Sequence, residues 1–234
     1  MNVLIVLGHP CSRSFNAALA EAAVSELERH GHSARTEDLY AAEFEARLGR
    51  GDFPAERGAQ WFDITREQAR ALRRGDIGKD LRESVERLRW AGLVILQFPV
   101  WWYGPPAVVK GWMDRVFLPG FAYGRDRSFD TGGLSGKKAM LSVTVDVPPS
   151  AYRADGRFGE MAAILWPLHL SLRYVGFDVL QPFVACEVSE SEMRRSAIAS
   201  ELRHRLAGIA EETPMLFRPN SDYDEQLRLK PSAP

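Results

Sequence analysis

Cysteine is nearly absent. Cys11 and Cys186 are the only two, too few for a disulfide framework or a four-ligand zinc site. Charge of one sign is not in excess either. Thirty Lys and Arg stand against 31 Asp and Glu, net −1, so the basic footprint of a nucleic-acid binder is missing. No apolar run approaches the ~18 residues of a membrane span, and insertion into a membrane is not expected. Residues 1–7 lack the basic start and cleavage site of a secretory leader, so a cytoplasmic protein is expected. There is no Gly-x-Ser-x-Gly, His-Glu-x-x-His, Cys-x-x-Cys or Gly-x-Gly-x-x-Gly. Their absence argues against a serine hydrolase, a zinc protease, a dithiol redox site and a Rossmann dinucleotide fold, and no metal site is expected. What is present is 45% apolar residues over 234 positions, enough for a packed core. Six Trp, six Tyr and twelve Phe are unevenly spread, three of these aromatics forming the run Trp101-Trp102-Tyr103.

Asn2–Leu7 is apolar on both faces, the pattern of a buried parallel strand. Gly8-His9-Pro10 turns the chain, and Ser14 is a fitting N-cap for a helix carrying Phe15, Leu19, Ala23 and Leu27, stopped by Gly31. Ser33–Leu39 reads as a half-exposed strand near a sheet edge. Tyr40–Gly75 has no sustained period and reads as a long surface excursion with short helices. Leu81, Val85 and Leu88 mark a helix ending near Gly92, followed by a buried strand at Leu93–Phe98. Pro105 and Pro106 suit a first helical turn before the stripe Val109, Trp112, Met113, Val116. Lys138–Thr144 is the next strand. Met161, Leu165, Leu168 and Leu172 mark a helix that Pro167 should kink or interrupt. Val179–Ala185 is a fifth strand, with a bulge or edge at Pro182, and Ser189–Glu211 the last helix.

This alternation predicts an α/β fold: a doubly wound parallel sheet of five strands in flavodoxin-like order 2-1-3-4-5, with helices on both faces. Residues 1–217 form one domain and 218–234 a polar tail. In such sheets ligands bind beyond the carboxyl ends of the strands, which singles out three loops. Gly8–Ser14 opens a helix with small hydroxyls and free N–H groups, either a phosphate or pyrophosphate site or simply a capped helix. Pro99–Pro105 carries the aromatic run, which either stacks on a flat ligand or is a hydrophobic patch covered by a neighbouring loop. Val145–Arg157 contains Tyr152, whose hydroxyl could serve charge on a ligand or be structural.

Read together, these segments resemble the NAD(P)H:quinone oxidoreductase family of the DT-diaphorase type, which has a flavodoxin-like fold. The resemblance rests on Leu4-Ile5-Val6-Leu7-Gly8-His9, Ser14-Phe15-Asn16, Asp38-Leu39-Tyr40, Gln97-Phe98-Pro99 with Trp102, and Pro106-Ala107. It continues through Lys110-Gly111-Trp112, Arg115-Val116-Phe117, Phe121-Ala122-Tyr123, Ile164-Leu165-Trp166-Pro167, Gly176-Phe177 and Glu212-Thr213-Pro214.

The resemblance implies a flavin-dependent enzyme, with FAD bound and FMN as the less favoured alternative, taking hydride from NAD(P)H and reducing quinones or quinone-like aromatics by two electrons. His9, Ser14, Phe15, Asn16 and Ala17 would hold the ribityl and pyrophosphate portion. Pro99, Val100, Trp101, Trp102 and Tyr103 would line the isoalloxazine. Thr144, Val145, Asp146 and Val147 would meet its polar edge, and Arg195 the adenosine side. Tyr152 corresponds to the family's catalytic Tyr. Trp102, Tyr103, Tyr123, Arg125 and Phe158 would face the substrate. The family also implies a homodimer with active sites at the interface, Tyr123 closing the pocket of the other subunit.

Two departures matter. Where the family has Thr-Thr-Gly-Gly this chain has Thr144-Val145-Asp146-Val147, followed by Pro148-Pro149. The glycines that admit close backbone approach are lost, and an Asp146 turned toward the flavin would oppose an anionic reduced form. The family's His partner of the catalytic Tyr aligns with Phe158, which carries no proton, and Arg157 is the nearest fixed charge in sequence. Two other activities therefore stand beside general quinone reduction. One is a specialised flavin reductase for a single metabolite, with a remodelled Asp146–Pro149 loop. The other is a flavin-binding ancillary subunit of a potassium-efflux transporter.

Overall fold

The computed structural model describes residues 1–53 and 62–231. Six parallel strands form one sheet: β1 (Asn2–Leu7), β2 (Ser33–Asp38), β3 (Leu93–Pro99), β4 (Lys138–Thr144), β5 (Asp178–Val179) and β6 (Phe183–Ala185). The order is β2-β1-β3-β4-β5, with β6 also on β4. The expected flavodoxin-like order and the edge position of the polar second strand are both present. Instead of one fifth strand there are two short ones on the same neighbour. Leu180 N still donates to Ala139 O, but Pro182 has no N–H to give, and pairing resumes only at Phe183.

Each strand alternates between two apolar layers. Leu4, Val6, Val94, Leu96, Phe98, Leu141 and Val143 pack with α3 (Lys79–Trp90), α4 (Ala107–Val116) and α5 (Met161–Tyr174). Val3, Ile5, Leu93, Ile95 and Met140 pack with α1 (Phe15–Arg29) and α6 (Glu192–Ala207). The helices begin where side chains can satisfy free N–H groups: Ser14 Oγ accepts from Ala17 N, and Ser191 Oγ accepts from Arg194 N. The last helix thus starts after Ser191, later than its periodicity suggests. Pro167 lies inside α5 without ending it.

The described part of the Tyr40–Gly75 excursion folds onto α4 and then forms α2 (Ile64–Arg74); residues 54–61 lie outside the described residues. A Cβ on Gly111 would come within 2.1 Å of Ala46 O, so only glycine admits this segment. Buried Arg115 pins it. Its guanidinium donates to Asp52 Oδ1, Asp80 Oδ2 at 2.7 Å and Glu45 O at 2.7 Å, and it lies over the Phe44 ring. After α6 the chain returns across α5. Phe217 stacks on Trp166 with centroids 5.6 Å apart, and Asn220 Nδ2 donates to Ser128 O.

Candidate active site

The carboxyl ends of β1, β3 and β4 converge, and three loops rise from them. After β1, Gly8 lets the chain turn close to α4, because a Cβ there would come within 2.2 Å of Val109 Cγ2. Cys11 N donates to His9 Nδ1 at 3.0 Å and Ser14 N to Cys11 O at 3.1 Å, which shapes the turn leading into α1. The free N–H groups of that helix and its dipole make this end electropositive.

After β3 the chain makes a two-residue hairpin. Trp101 N donates to Gly104 O at 2.9 Å and Gly104 N to Trp101 O at 3.0 Å. Its central residues, Trp102 and Tyr103, have φ of 51° and 61°, the left-handed geometry that Asn-Gly usually fills. A Trp and a Tyr held there store backbone strain, a feature found at ligand sites. The Trp102 side chain is 98% exposed and Tyr103 is 56% exposed, so neither is retained by burial.

After β4, Val145 N donates to Ala185 O, and Asp146 Oδ1 accepts from Ser189 N at 2.9 Å. The carboxylate that replaces the expected glycine is thereby tied to the segment leading into α6. Pro149–Tyr152 forms a short 3-10 turn, closed onto the rest of its loop by Phe158 N donating to Ala151 O. Tyr152 lies 5.7 Å from Phe158 and Phe158 6.4 Å from Tyr103, centroid to centroid. These rings bridge the second and third loops. Burial, reinforced by Cys186 and Tyr103, raises the Tyr152 pKa above its ordinary value, which keeps the phenol protonated.

Between the first and third loops opens a cavity of about 870 Å³. Its wall includes His9, Ser14, Phe15, Asn16, Pro99, Val100, Trp101, Thr144, Val145, Asp146 and Arg195 from the sequence-derived set. Ala17 is buried beneath it, with its N–H given to Ser14. Trp102, Tyr103, Tyr152 and Phe158 belong to the aromatic side, and neither they nor Val147 line the cavity. Tyr123 is elsewhere, beside Tyr174 in a second cavity of about 530 Å³ between α4 and α5, and Arg125 is exposed. Burial raises the Tyr123 pKa.

The sequence reading missed the far end of the large cavity. There Ala18 and Ala22 of α1 face Glu192, Ser196, Ala199 and Arg203 of α6. The signal was available: positions 192, 196, 199 and 203 share one helical face, opposite small residues on α1. Arg195 spans this region, donating to Glu192 Oε2 at 2.7 Å and Val188 O at 3.4 Å. Arg13 and Arg203 pair with no carboxylate among the described residues. No group of His, Cys, Asp and Glu with metal-holding geometry occurs among the described residues. No helix there is long and apolar enough to cross a membrane.

A family model described as a flavodoxin-like fold matches residues 1–207. NAD(P)H dehydrogenase (quinone) 1 of Rattus norvegicus is 37% identical over 94% of this chain and 82% of its own length. Ribosyldihydronicotinamide dehydrogenase (quinone) of Mus musculus is 38% identical over 95% of this chain and 98% of its own. A solved structure from Klebsiella pneumoniae, provisionally described as a quinone reductase, superposes with a TM-score of 0.93. It is 34% identical and covers 99% of this chain and 94% of that one. General stress protein 14 of Treponema denticola, solved in complex with FMN, superposes with a TM-score of 0.60 at 25% identity, covering 90% and 99% of the two chains. The chain belongs to this flavodoxin-like family, in the group of the quinone-type NAD(P)H and ribosyldihydronicotinamide dehydrogenases.

Proposed function

We propose that the protein is an FAD-dependent NAD(P)H oxidoreductase that reduces a quinone or quinone-like aromatic by two electrons. The carrying observation is the elongated cavity. It starts beside Trp101 and Thr144, passes the start of α1 and runs between α1 and α6 to Arg203. FAD, when bound, accepts a hydride from a reduced nicotinamide and passes two electrons to the acceptor.

The residues suit such a group. The N–H groups at the start of α1, with Arg13, suit a diphosphate. The α1–α6 end supplies length, two arginines and small residues for an adenosine, which favours FAD over FMN. His9, Ser14, Phe15 and Asn16 hold the ribityl and pyrophosphate portion, with Ala17 buried beneath them, and Arg195 the adenosine. Pro99, Val100 and Trp101 line the ring system, whose polar edge meets Thr144, Val145 and Asp146. Tyr152, as a neutral phenol, donates a hydrogen bond to negative charge developing on the reduced flavin. Trp102, Tyr103 and Phe158 present aromatic surface to a flat acceptor.

The working unit in this reading is a cytoplasmic homodimer of the 1–217 domain, with 218–234 as a tail. Trp166, Leu170 and Tyr174 share one face of α5 and are 46%, 39% and 40% exposed. An apolar stripe of that kind fits a self-contact, and it would bring Tyr123 and Arg125 toward a second subunit's acceptor. The anchored Asp146 favours a second reading, a reductase specialised for one acceptor, because a fixed carboxylate narrows what the cavity tolerates. Oxidation of NADH, NADPH and ribosyldihydronicotinamide against a panel of quinones and other aromatics decides between them. Broad quinone turnover supports the first reading and a single productive acceptor the second.

A further inference from the structure

At the cavity floor runs a buried polar relay. Gln97 Nε2 donates to Asn16 Oδ1 at 2.8 Å, and Asn16 Nδ2 donates to Thr144 Oγ1 at 2.9 Å. The three residues are 1%, 5% and 3% exposed. They join the end of β3, the first turn of α1 and the last residue of β4. Asn16 and Thr144 also face the cavity, whereas Gln97 does not.

The relay has a direction. An amide offers an acceptor at one end and donors at the other, and a hydroxyl has one proton. Once Gln97 takes the oxygen end of Asn16, the nitrogen end must face Thr144. Thr144 Oγ1 then accepts, and its own proton is left for another partner. Ser142, the cross-strand neighbour of Gln97, has a buried Oγ with no hydrogen-bond partner among the described residues, so the Gln97 amide bonds to Asn16 and not to that hydroxyl. We infer that Gln97 is a positioning residue, acting through Asn16 to turn the Thr144 hydroxyl proton into the cavity as a donor to a flavin carbonyl or ring nitrogen. This rests on the flavin reading above and adds to it a residue that touches no ligand.

A double-mutant cycle tests it. Apoprotein of the wild type, Gln97→Met, Thr144→Val and the double variant is titrated with FAD. Affinity, the visible absorption bands of bound flavin and the melting temperature are recorded for each. Each single change is expected to weaken FAD binding roughly three- to tenfold, the worth of one hydrogen bond, and to move the absorption bands in the same sense. The double variant is expected to be no weaker than the worse single one, because one change misdirects and the other removes the same donated hydrogen bond. Effects that multiply overturn the relay, as does a Gln97→Met protein that only melts earlier, with unchanged affinity and spectrum. Should Gln97→Met fail to fold, Asn16→Asp serves in its place in the same cycle. An aspartate accepts from both neighbours and draws the Thr144 proton inward, and multiplication with Thr144→Val is again the contradicting result. Wild-type protein that takes up no flavin overturns both this inference and the proposed function, whereas normal flavin uptake with multiplying effects overturns the relay alone.

Discussion

The Phe158 ring lies 5.7 Å from that of Tyr152, inclined at 42°, at the position where the family resemblance implies a histidine. An apolar ring packs beside the phenol and has no proton to exchange with it. The Tyr152 hydroxyl remains a donor, kept protonated by burial and by Cys186 and Tyr103.

Removal of that hydroxyl should slow hydride transfer. Tyr152→Phe is expected to reduce the rate of flavin reduction by roughly ten- to a hundredfold, the range for a hydrogen bond to a charged group. Stopped-flow bleaching of the flavin measures it, and an unchanged rate removes Tyr152 from the mechanism. Phe158→His is expected to add a limb to the pH profile near the ordinary histidine range of ~6.5 that the wild type lacks.

The hairpin stores strain that function retains. Replacement of Trp102-Tyr103 by Asn-Gly relieves two non-glycine residues at positive φ. The fold should gain about 1 kcal/mol, a rise in melting temperature of roughly 2–4 °C for a chain of this size. The Michaelis constant for the acceptor should rise, because the exposed indole and phenol are gone. Calorimetry and steady-state kinetics on the same preparation check both.

His169 in α5 is 1% exposed, and neither ring nitrogen has a partner among the described residues. Burial lowers its pKa to about 4. In the unfolded chain it protonates near ~6.5, so between those values the unfolded state binds the extra proton. The wild type should therefore lose stability as pH falls from about 6.5 toward 4, by on the order of 3 kcal/mol. His169→Leu should flatten that slope in urea unfolding series, and a slope unchanged by the substitution assigns acid lability to other groups.

Arg115 joins α4 to the excursion through Asp52 and Glu45 and to the start of α3 through Asp80. Arg115→Met leaves the buried Asp52 carboxylate without its counterion and should cost roughly 3–5 kcal/mol, read from the urea midpoint.

The sheet and its order were legible because buried parallel strands are apolar throughout, and Asn2–Leu7, Leu93–Pro99 and Lys138–Thr144 each stand between turn signals. The split at Leu180–Pro182 was half legible: Pro182 marked the place, but whether pairing bends or stops depends on the register with β4. The three site loops follow from strand ends. The α1–α6 wall does not, since Ala18, Ala22 and Ala199 read as ordinary helix residues until the two helices face one another. The same holds for Gln97, whose partner Asn16 is 81 positions away. Tyr123 and Arg125 lie outside the large cavity, and nothing in one chain's periodicity tells which loop residues share a site.

The most direct test of the central claim is the visible spectrum of the purified protein and the mass of its released cofactor, followed by anaerobic titration with NADH, NADPH or ribosyldihydronicotinamide. The account predicts released FAD, bleaching by one equivalent of donor and recovery of the spectrum on adding one equivalent of benzoquinone. A protein that stays colourless after flavin is supplied, or a bound flavin that no donor bleaches, contradicts it.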